Sequence, residues 1–249
     1  MKVPFKEKLR QDVPLVGIIQ TLASSEITEI IAAAGFDWLF VDLEHGTLGI
    51  REAQVLLQAA NPALDCLVRV PANQEDWIKK SLDIGADGII IPQIHSAREA
   101  ARAVASCKYP PQGNRSVGIA RAHGYGPHFD QYVANANDEI AVVLQIEHSQ
   151  AVANIDAIAG VPGIDALFVG PYDLSASMGK PGRVNDADVQ RAIAAVKECA
   201  DAVGLPVGIF AADPVAARAC MAAGYKLIAV GMDTLLLGKA ARETVAALR

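Results

Sequence analysis

Three apolar, β-branched runs in this chain end on carboxylates. Leu144-Gln145-Ile146-Glu147-His148 stops on Glu147, and Phe168-Val169-Gly170-Pro171-Tyr172-Asp173 stops on Asp173. A third, Trp38-Leu39-Phe40-Val41-Asp42-Leu43-Glu44-His45-Gly46, ends on two acids and a histidine. Strands that end in charge are what a parallel α/β enzyme needs, because its ligands bind beyond the carboxyl ends of the strands. Two oxygen ligands from neighbouring strand ends, with a histidine nearby, describe a site for a hard divalent cation with a base beside it. The expectation is a metal-dependent enzyme.

Acids at strand ends often cap the helix that follows. Here two successive strands carry one, and each interrupts an otherwise apolar run, which favours Glu147 and Asp173 as metal ligands. Two carboxylates, waters and a bidentate substrate fill an octahedron, which suits magnesium or manganese, with cobalt or another divalent ion compatible. Zinc would ask for more histidine or thiolate. His45, just past its strand, reads as a general base. Alternation along the strand is expected to turn one of Asp42 and Glu44 away from it, leaving Glu44 a structural role. Arg69 is the only charge in Cys66-Leu67-Val68-Arg69-Val70-Pro71. A cation inside a buried strand needs an anion, and beside a metal it would bind a carboxylate or a developing enolate. Asp83, near a helix end, reads as a surface acid. Every lysine, Lys2 included, falls in a helix, a loop or a strand entrance, so none is placed to form a Schiff base. Carbanion chemistry would therefore use the metal. Neither G-x-x-x-x-G-K-[ST] nor G-x-G-x-x-G occurs.

Strand-like runs at 15–20, 38–43, 66–70, 88–93, 140–146, 166–169, 207–210 and 227–230 must position these residues. Most are apolar on both faces, as parallel strands covered by helices are. Helical patterns alternate with them, at 25–34, 96–108, 185–203, 213–223 and 234–248 among others, several closed by glycine. Junctions such as Ala33-Ala34-Gly35-Phe36-Asp37, Ile84-Gly85-Ala86-Asp87 and Ala222-Ala223-Gly224-Tyr225-Lys226 read as turns entering a new strand. Eight such units predict a (β/α)8 barrel, and 249 residues match the usual size of about 250. Residues 1–249 are expected to form one domain. The stretch 109–137 breaks the rhythm and is expected to lie on the catalytic face as a lid or a subunit-contact loop.

A net charge of −6 argues against nucleic acid or an anionic membrane as partner. The four cysteines are scattered and read as buried, reduced thiols. No apolar run approaches the ~20 residues of a membrane span, and no leader pattern is visible at the amino terminus. The expected location is the cytoplasm.

At these residues the sequence resembles the class II pyruvate aldolases of the HpcH/HpaI family, whose members include 4-hydroxy-2-oxoheptanedioate and 2-dehydro-3-deoxyglucarate aldolases. The likeness runs through Val41-Asp42-Leu43-Glu44-His45-Gly46, Val68-Arg69-Val70-Pro71, Gly85-Ala86-Asp87-Gly88-Ile89-Ile90-Ile91-Pro92, Gln145-Ile146-Glu147 and Gly170-Pro171-Tyr172-Asp173-Leu174-Ser175. It implies an aldehyde-lyase that cleaves 4-hydroxy-2-oxo acids to pyruvate and an aldehyde, and the reverse addition. It also implies that Glu147 and Asp173 hold the metal, that Arg69 stabilises the pyruvate enolate, and that His45 acts as base with Asp83. Gln145, Gly170, Pro171 and Tyr172 would line the substrate site. The implied assembly is a hexamer, a trimer of dimers, with the last helix exchanged between subunits. Tyr172 and Asn114-Arg115-Ser116 depart from the family pattern and alter the wall facing the aldehyde. A related lyase or decarboxylase, acting on oxaloacetate or an acyl-CoA, is the alternative; its CoA phosphates would want a basic groove, and the long loop offers Lys108, Arg115 and Arg121.

Overall fold

Runs that are apolar on both faces satisfy their backbone in a sheet sheathed by helices, and eight of them can close on themselves. The computed structural model describes residues 3–249, so Lys2 lies outside the described residues. It shows a closed barrel of eight parallel strands in sequence order. These are β1 (Leu15–Gln20), β2 (Trp38–Asp42), β3 (Asp65–Arg69), β4 (Gly88–Ile91), β5 (Ala141–Ile146), β6 (Ala166–Val169), β7 (Val207–Ala211) and β8 (Leu227–Met232). The helices are α1 (Phe5–Leu9), α2 (Ser25–Ala33), α3 (Ile50–Ala60), α4 (Glu75–Asp83), α5 (Ala97–Cys107), α6 (Phe129–Glu139), α7 (Ser149–Ala153), α8 (Ile155–Ala159), α9 (Pro171–Ser177), α10 (Ala187–Ala202), α11 (Pro214–Ala222) and α12 (Asp233–Ala247).

Two apolar layers follow from the period-2 alternation of strand side chains. Trp38, Phe40, Leu67, Ile90, Val143 and Phe168 fill the barrel interior, while Leu39, Val41, Val68, Ile89, Leu144 and Leu167 pack outward under the helices. The interior is so full that a Cβ on Gly17 would sit 2.4 Å from the Trp38 indole. α1 closes the amino-terminal end: Phe5 lies 6.2 Å from Trp38, and Lys6 and Lys8 pair with Asp165 and Asp65 at 2.9 and 2.6 Å.

The recurrent junctions have a physical reason. Gly35 and Gly85 take φ of 87° and 88°, which a residue with a Cβ resists, and so end their helices. The acid that follows turns back to the neighbouring strand. Asp37 accepts from the Val16 N–H, Asp87 from Cys66 and, at a third junction, Asp165 from Val142, at 2.8 to 2.9 Å. Each secures the N–H of the second residue of a strand.

The long stretch is a correction. α5 has already returned the chain to the amino-terminal end of the barrel, so residues 109–137 lie there, away from the carboxyl ends of the strands. Lys108 Nζ donates to Asn137 and Ile140 carbonyls, Arg121 Nη1 donates to the Ile84 carbonyl at 2.7 Å, and Arg115 Nη2 donates to Asp83 at 2.7 Å. It does not cover its own barrel's mouth, and the basic groups it offers are not at that mouth.

α12 starts firmly and then leaves. The buried Asp233 carboxylate accepts from Thr21 N and Oγ1 and from Leu22 N at 2.8 to 3.0 Å, tying the first turn to the end of β1. Beyond it Leu235, Leu236, Leu237 and Val245 are all exposed. Cys66 and Cys107 are buried as expected, whereas Cys199 and Cys220 are half-buried. Among the described residues no helix is long and apolar enough to cross a membrane.

Candidate active site

The site is built from the inward positions at the carboxyl ends of β2, β3, β5 and β6. Asp42 and Arg69 are partners in the β2–β3 register, so the pleat points both into the barrel mouth. The fully buried Asp42 carboxylate accepts from Arg69 Nε at 2.9 Å and Nη2 at 2.6 Å, a bidentate pair. Asp42 Oδ1 also accepts from the Glu44 and His45 N–H groups at 3.0 and 3.3 Å. One carboxylate thus fixes both the guanidinium and the turn that carries His45.

Glu44 was expected to diverge from Asp42, but the two share the barrel mouth. Glu44 lies in the turn just beyond β2, where its N–H bonds to Asp42, and its Oε2 lies 3.2 Å from Arg69 Nη1. Arg69 Nη1 also sits 3.5 Å from Gln145 Oε1, and its Cζ lies 5.1 Å over the Phe40 ring. Burial opposes the Arg69 charge, yet Asp42, Glu44 and Glu147 outweigh it and keep the guanidinium protonated.

Glu147 extends the inward line of Gln145, two residues earlier. Its Oε1 accepts from Gln93 N at 2.7 Å, and its Oε2 accepts a short bond from Gln145 Nε2. Gly170 makes room for it, since a Cβ there would lie 3.0 Å from Glu147 Cβ. Asp173 stands in the first turn of α9, half exposed, with Oδ2 3.8 Å from His45 Nε2; Glu44 Oε2 is 4.0 Å from the same nitrogen. A cavity of about 130 Å³ is lined by His45, Arg69, Gln145, Gly170, Tyr172 and Asp173, with Phe168, Pro171 and Phe210 completing it. Tyr172 is half exposed at its rim, edge-on to Phe210 with ring centroids 5.9 Å apart.

The mouth carries more acid than it can balance. Asp42, Glu44, Glu147 and Asp173 face one guanidinium. Burial pushes the Glu44 carboxyl up to about 7, with Arg69 opposing and Glu147, Asp42 and Asp173 adding to the rise. Burial also raises Glu147, reinforced by Asp173. Glu44 Oε2 is buried without a hydrogen-bond donor. A divalent cation between Glu147 and Asp173 would relieve this excess, so the residues present fit such an ion. Among the described residues no three histidine, cysteine or acidic side chains form a metal cage. The remaining positions would fall to water and substrate.

Of the expected site residues, His45, Arg69, Gln145, Glu147, Gly170, Pro171, Tyr172 and Asp173 come together. Asp83 does not. It ends α4 at the opposite end of the barrel, and its carboxylate is held by Arg115, which is itself 4.5 Å over the Tyr109 ring. Among catalytic-face lysines, Lys180 is paired with Asp186 at 2.5 Å and also with Asp188, so it is not a free amine. Two participants were missed by sequence reasoning. Asp42 could have been found as the one acid inside a strand adjacent to the one strand holding an arginine. Gln93 has no such signal, because its contact is made by backbone.

The sequence profile of the HpcH/HpaI aldolase/citrate lyase family matches residues 17–240. A hydroxypyruvate/pyruvate aldolase of Paraburkholderia phytofirmans is 39% identical over 254 residues, covering 99% of this chain and 97% of the relative. A 2-keto-3-deoxy-L-rhamnonate aldolase of Salmonella gallinarum is 39% identical over 95% of this chain and 90% of its own. The crystal structure of an HpcH/HpaI aldolase/citrate lyase family protein from Burkholderia cenocepacia superposes with a TM-score of 0.95, at 38% identity and 98% coverage of both chains. A citrate lyase beta subunit from M. tuberculosis, solved with oxaloacetate and magnesium, shares the fold at 16% identity, a TM-score of 0.57 and coverage of 90% of this chain and 93% of its own.

The raised Glu44 carboxyl has a consequence for stability. Between its ordinary 4.5 and about 7 the folded chain holds this proton and the unfolded chain does not. The Glu44 contribution to stability therefore falls as pH rises through that window. In metal-free protein, Glu44→Gln should flatten the fall and raise the urea midpoint at pH 8 relative to the unsubstituted chain. An unaltered difference between the midpoints at pH 5 and pH 8 would contradict the assignment.

Proposed function

The chain belongs to the HpcH/HpaI aldolase/citrate lyase family and is an aldolase, a carbon–carbon lyase; from that premise we propose that it splits 4-hydroxy-2-oxo acids into pyruvate, or a pyruvate analogue, and an aldehyde, and also catalyses the reverse addition. The observation that carries this reading is the convergence of Glu147, Asp173, Arg69 and His45 on one barrel mouth. Glu147 and Asp173 would hold a divalent ion, magnesium or manganese by the all-oxygen donor set. When bound, the ion supplies Lewis acidity toward a keto oxygen.

The chain's own residues supply the rest. Arg69, kept charged and aimed by Asp42, presents Nη1 to the mouth and stabilises the negative oxygen that develops as the C3–C4 bond breaks. Gln145 orients the three-carbon fragment beside it. His45 Nε2, exposed and facing the cavity, takes the proton of the C4 hydroxyl, directly or through a water. The electron pair of the broken bond goes to the three-carbon enolate, and a proton returned to C3 gives pyruvate. Tyr172, with Phe210 behind it, forms the wall toward the aldehyde. Within one subunit, Lys108, Arg115 and Arg121, the basic groups offered for the phosphates of a CoA thioester, lie at the other end of the barrel.

Assembly completes the proposal. The exposed leucines of α12 would be covered by a second copy of this chain, in a hexamer with exchanged last helices. An Asp83 that assists His45 must then come from another subunit, since each barrel is interposed between its own two residues.

Activity should disappear on exhaustive chelation and return with Mg²⁺ or Mn²⁺. Glu147→Gln and Asp173→Asn should lose tight ion binding, and borohydride should trap no adduct. His45→Ala should lower kcat by about 10²-fold with ion binding intact. Full activity after chelation, a borohydride-trapped adduct, or ion loss in His45→Ala would refute these roles. In sedimentation at micromolar concentration the intact protein should run as a multimer, and deletion from Thr234 onward should give a smaller, aggregating species. A monomeric intact protein would exclude the assembly.

A further inference from the structure

Gln93 and Tyr125 are the non-glycine residues with positive φ among the described residues, both at 57°. The left-handed region is unfavourable for a residue with a Cβ and persists where the surroundings over-determine it. Packing of the Gln93 side chain is not what imposes it, because that residue is exposed. The flanking Ile91 and Ile94 are both fully buried. The chain must therefore leave β4 through Pro92, turn sharply, and re-enter the core within three residues. The left-handed turn does this and points the Gln93 N–H inward, 2.7 Å from Glu147 Oε1.

Glu147 is fixed from three sides. Gln145 holds its other oxygen, Gly170 packs so close to its stem that a Cβ there would lie 3.0 Å from Glu147 Cβ, and Gln93 supplies the backbone donor. The Gln93 side chain makes only a long contact, Nε2 to Glu44 Oε1 at 3.4 Å. Conformation and side chain can therefore be separated.

We propose that Gln93 is a positioning residue whose left-handed backbone, rather than its amide side chain, aims an N–H at Glu147 and fixes that carboxylate for the divalent ion. This rests on Glu147 being an ion ligand, as read above. Removing the N–H alignment would let the carboxylate rotate and weaken the ion's hold.

The test is Mn²⁺ affinity of the purified full chain, by calorimetry or by loss of the free-ion EPR signal, with thermal unfolding recorded alongside. Gln93→Gly and Gln93→Asn tolerate the left-handed region and should bind Mn²⁺ within about threefold of the unsubstituted chain. Gln93→Val, β-branched and hostile to positive φ, should bind about tenfold more weakly with cooperative unfolding retained. Gln93→Ala should fall between them, which keeps the order readable if the valine variant does not fold. Affinity that follows left-handed tolerance supports the inference. Equal loss in Gln93→Gly and Gln93→Val, or no loss in Gln93→Ala and Gln93→Val, overturns it while leaving the ion site in place. An unsubstituted chain that binds no Mn²⁺, or binds it as well after Glu147→Gln, overturns the reading of Glu147 and this inference together.

Discussion

A guanidinium buried at the mouth of the barrel is the constraint on which the site depends. An arginine cannot be left there alone: breaking a buried pair by removing one partner costs about 3–5 kcal/mol. Asp42 meets that demand from the adjacent strand with both oxygens. Because β2 and β3 place the two residues in register, the barrel's hydrogen bonding and the ion pair enforce one another. Asp42 then uses the same carboxylate to gather the Glu44 and His45 N–H groups. His45, the proposed base, is positioned by the group that positions the guanidinium.

The remaining acids are arranged around that pair and are left in excess. Glu44 and Glu147 are both driven up by burial, which is the mark of carboxylates gathered for a use other than stability. A fold that needed only to stay folded would have apolar side chains here, as it has one layer below at Phe40, Ile90 and Val143. The cost is met by the closed interior and by junction acids at the other end of the barrel. The two ends thus divide the labour expected of a (β/α)8 barrel: stability at the amino-terminal end, chemistry at the carboxyl end.

Much of this was legible in the chain. The runs starting at Leu15 and Ala166 matched the observed strands at both ends, because both faces of each are buried and apolar patterning leaves little choice of boundary. Charge at the ends of apolar runs singled out Glu147, Asp173 and His45, and all three lie at the barrel mouth, Asp173 in the first turn of α9 rather than at a strand end. What failed was placement across connections. The stretch 109–137 follows β4, which by order alone suggests the mouth, but α5 intervenes and reverses the chain's direction. Asp83 read as a surface acid and is instead held by a buried arginine thirty-two residues later, a pairing that has no periodicity to announce it. Gln93 was invisible because its contribution is an N–H, which every residue but proline has. Sequence reveals which side chains can do chemistry more readily than which backbone groups hold them.

In the proposed reaction a divalent ion and Arg69 act together at this mouth to stabilise a three-carbon enolate. Exchange of the C3 protons of pyruvate for deuterium, followed by NMR in D₂O with no aldehyde present, isolates that half of the reaction. Exchange is expected in the Mg²⁺- or Mn²⁺-loaded protein, with its loss after chelation and a rate lowered by orders of magnitude in Arg69→Lys, which keeps the charge but not the bidentate fork that Asp42 aims. Exchange that proceeds equally in the chelated protein, or is untouched by Arg69→Lys, would contradict it.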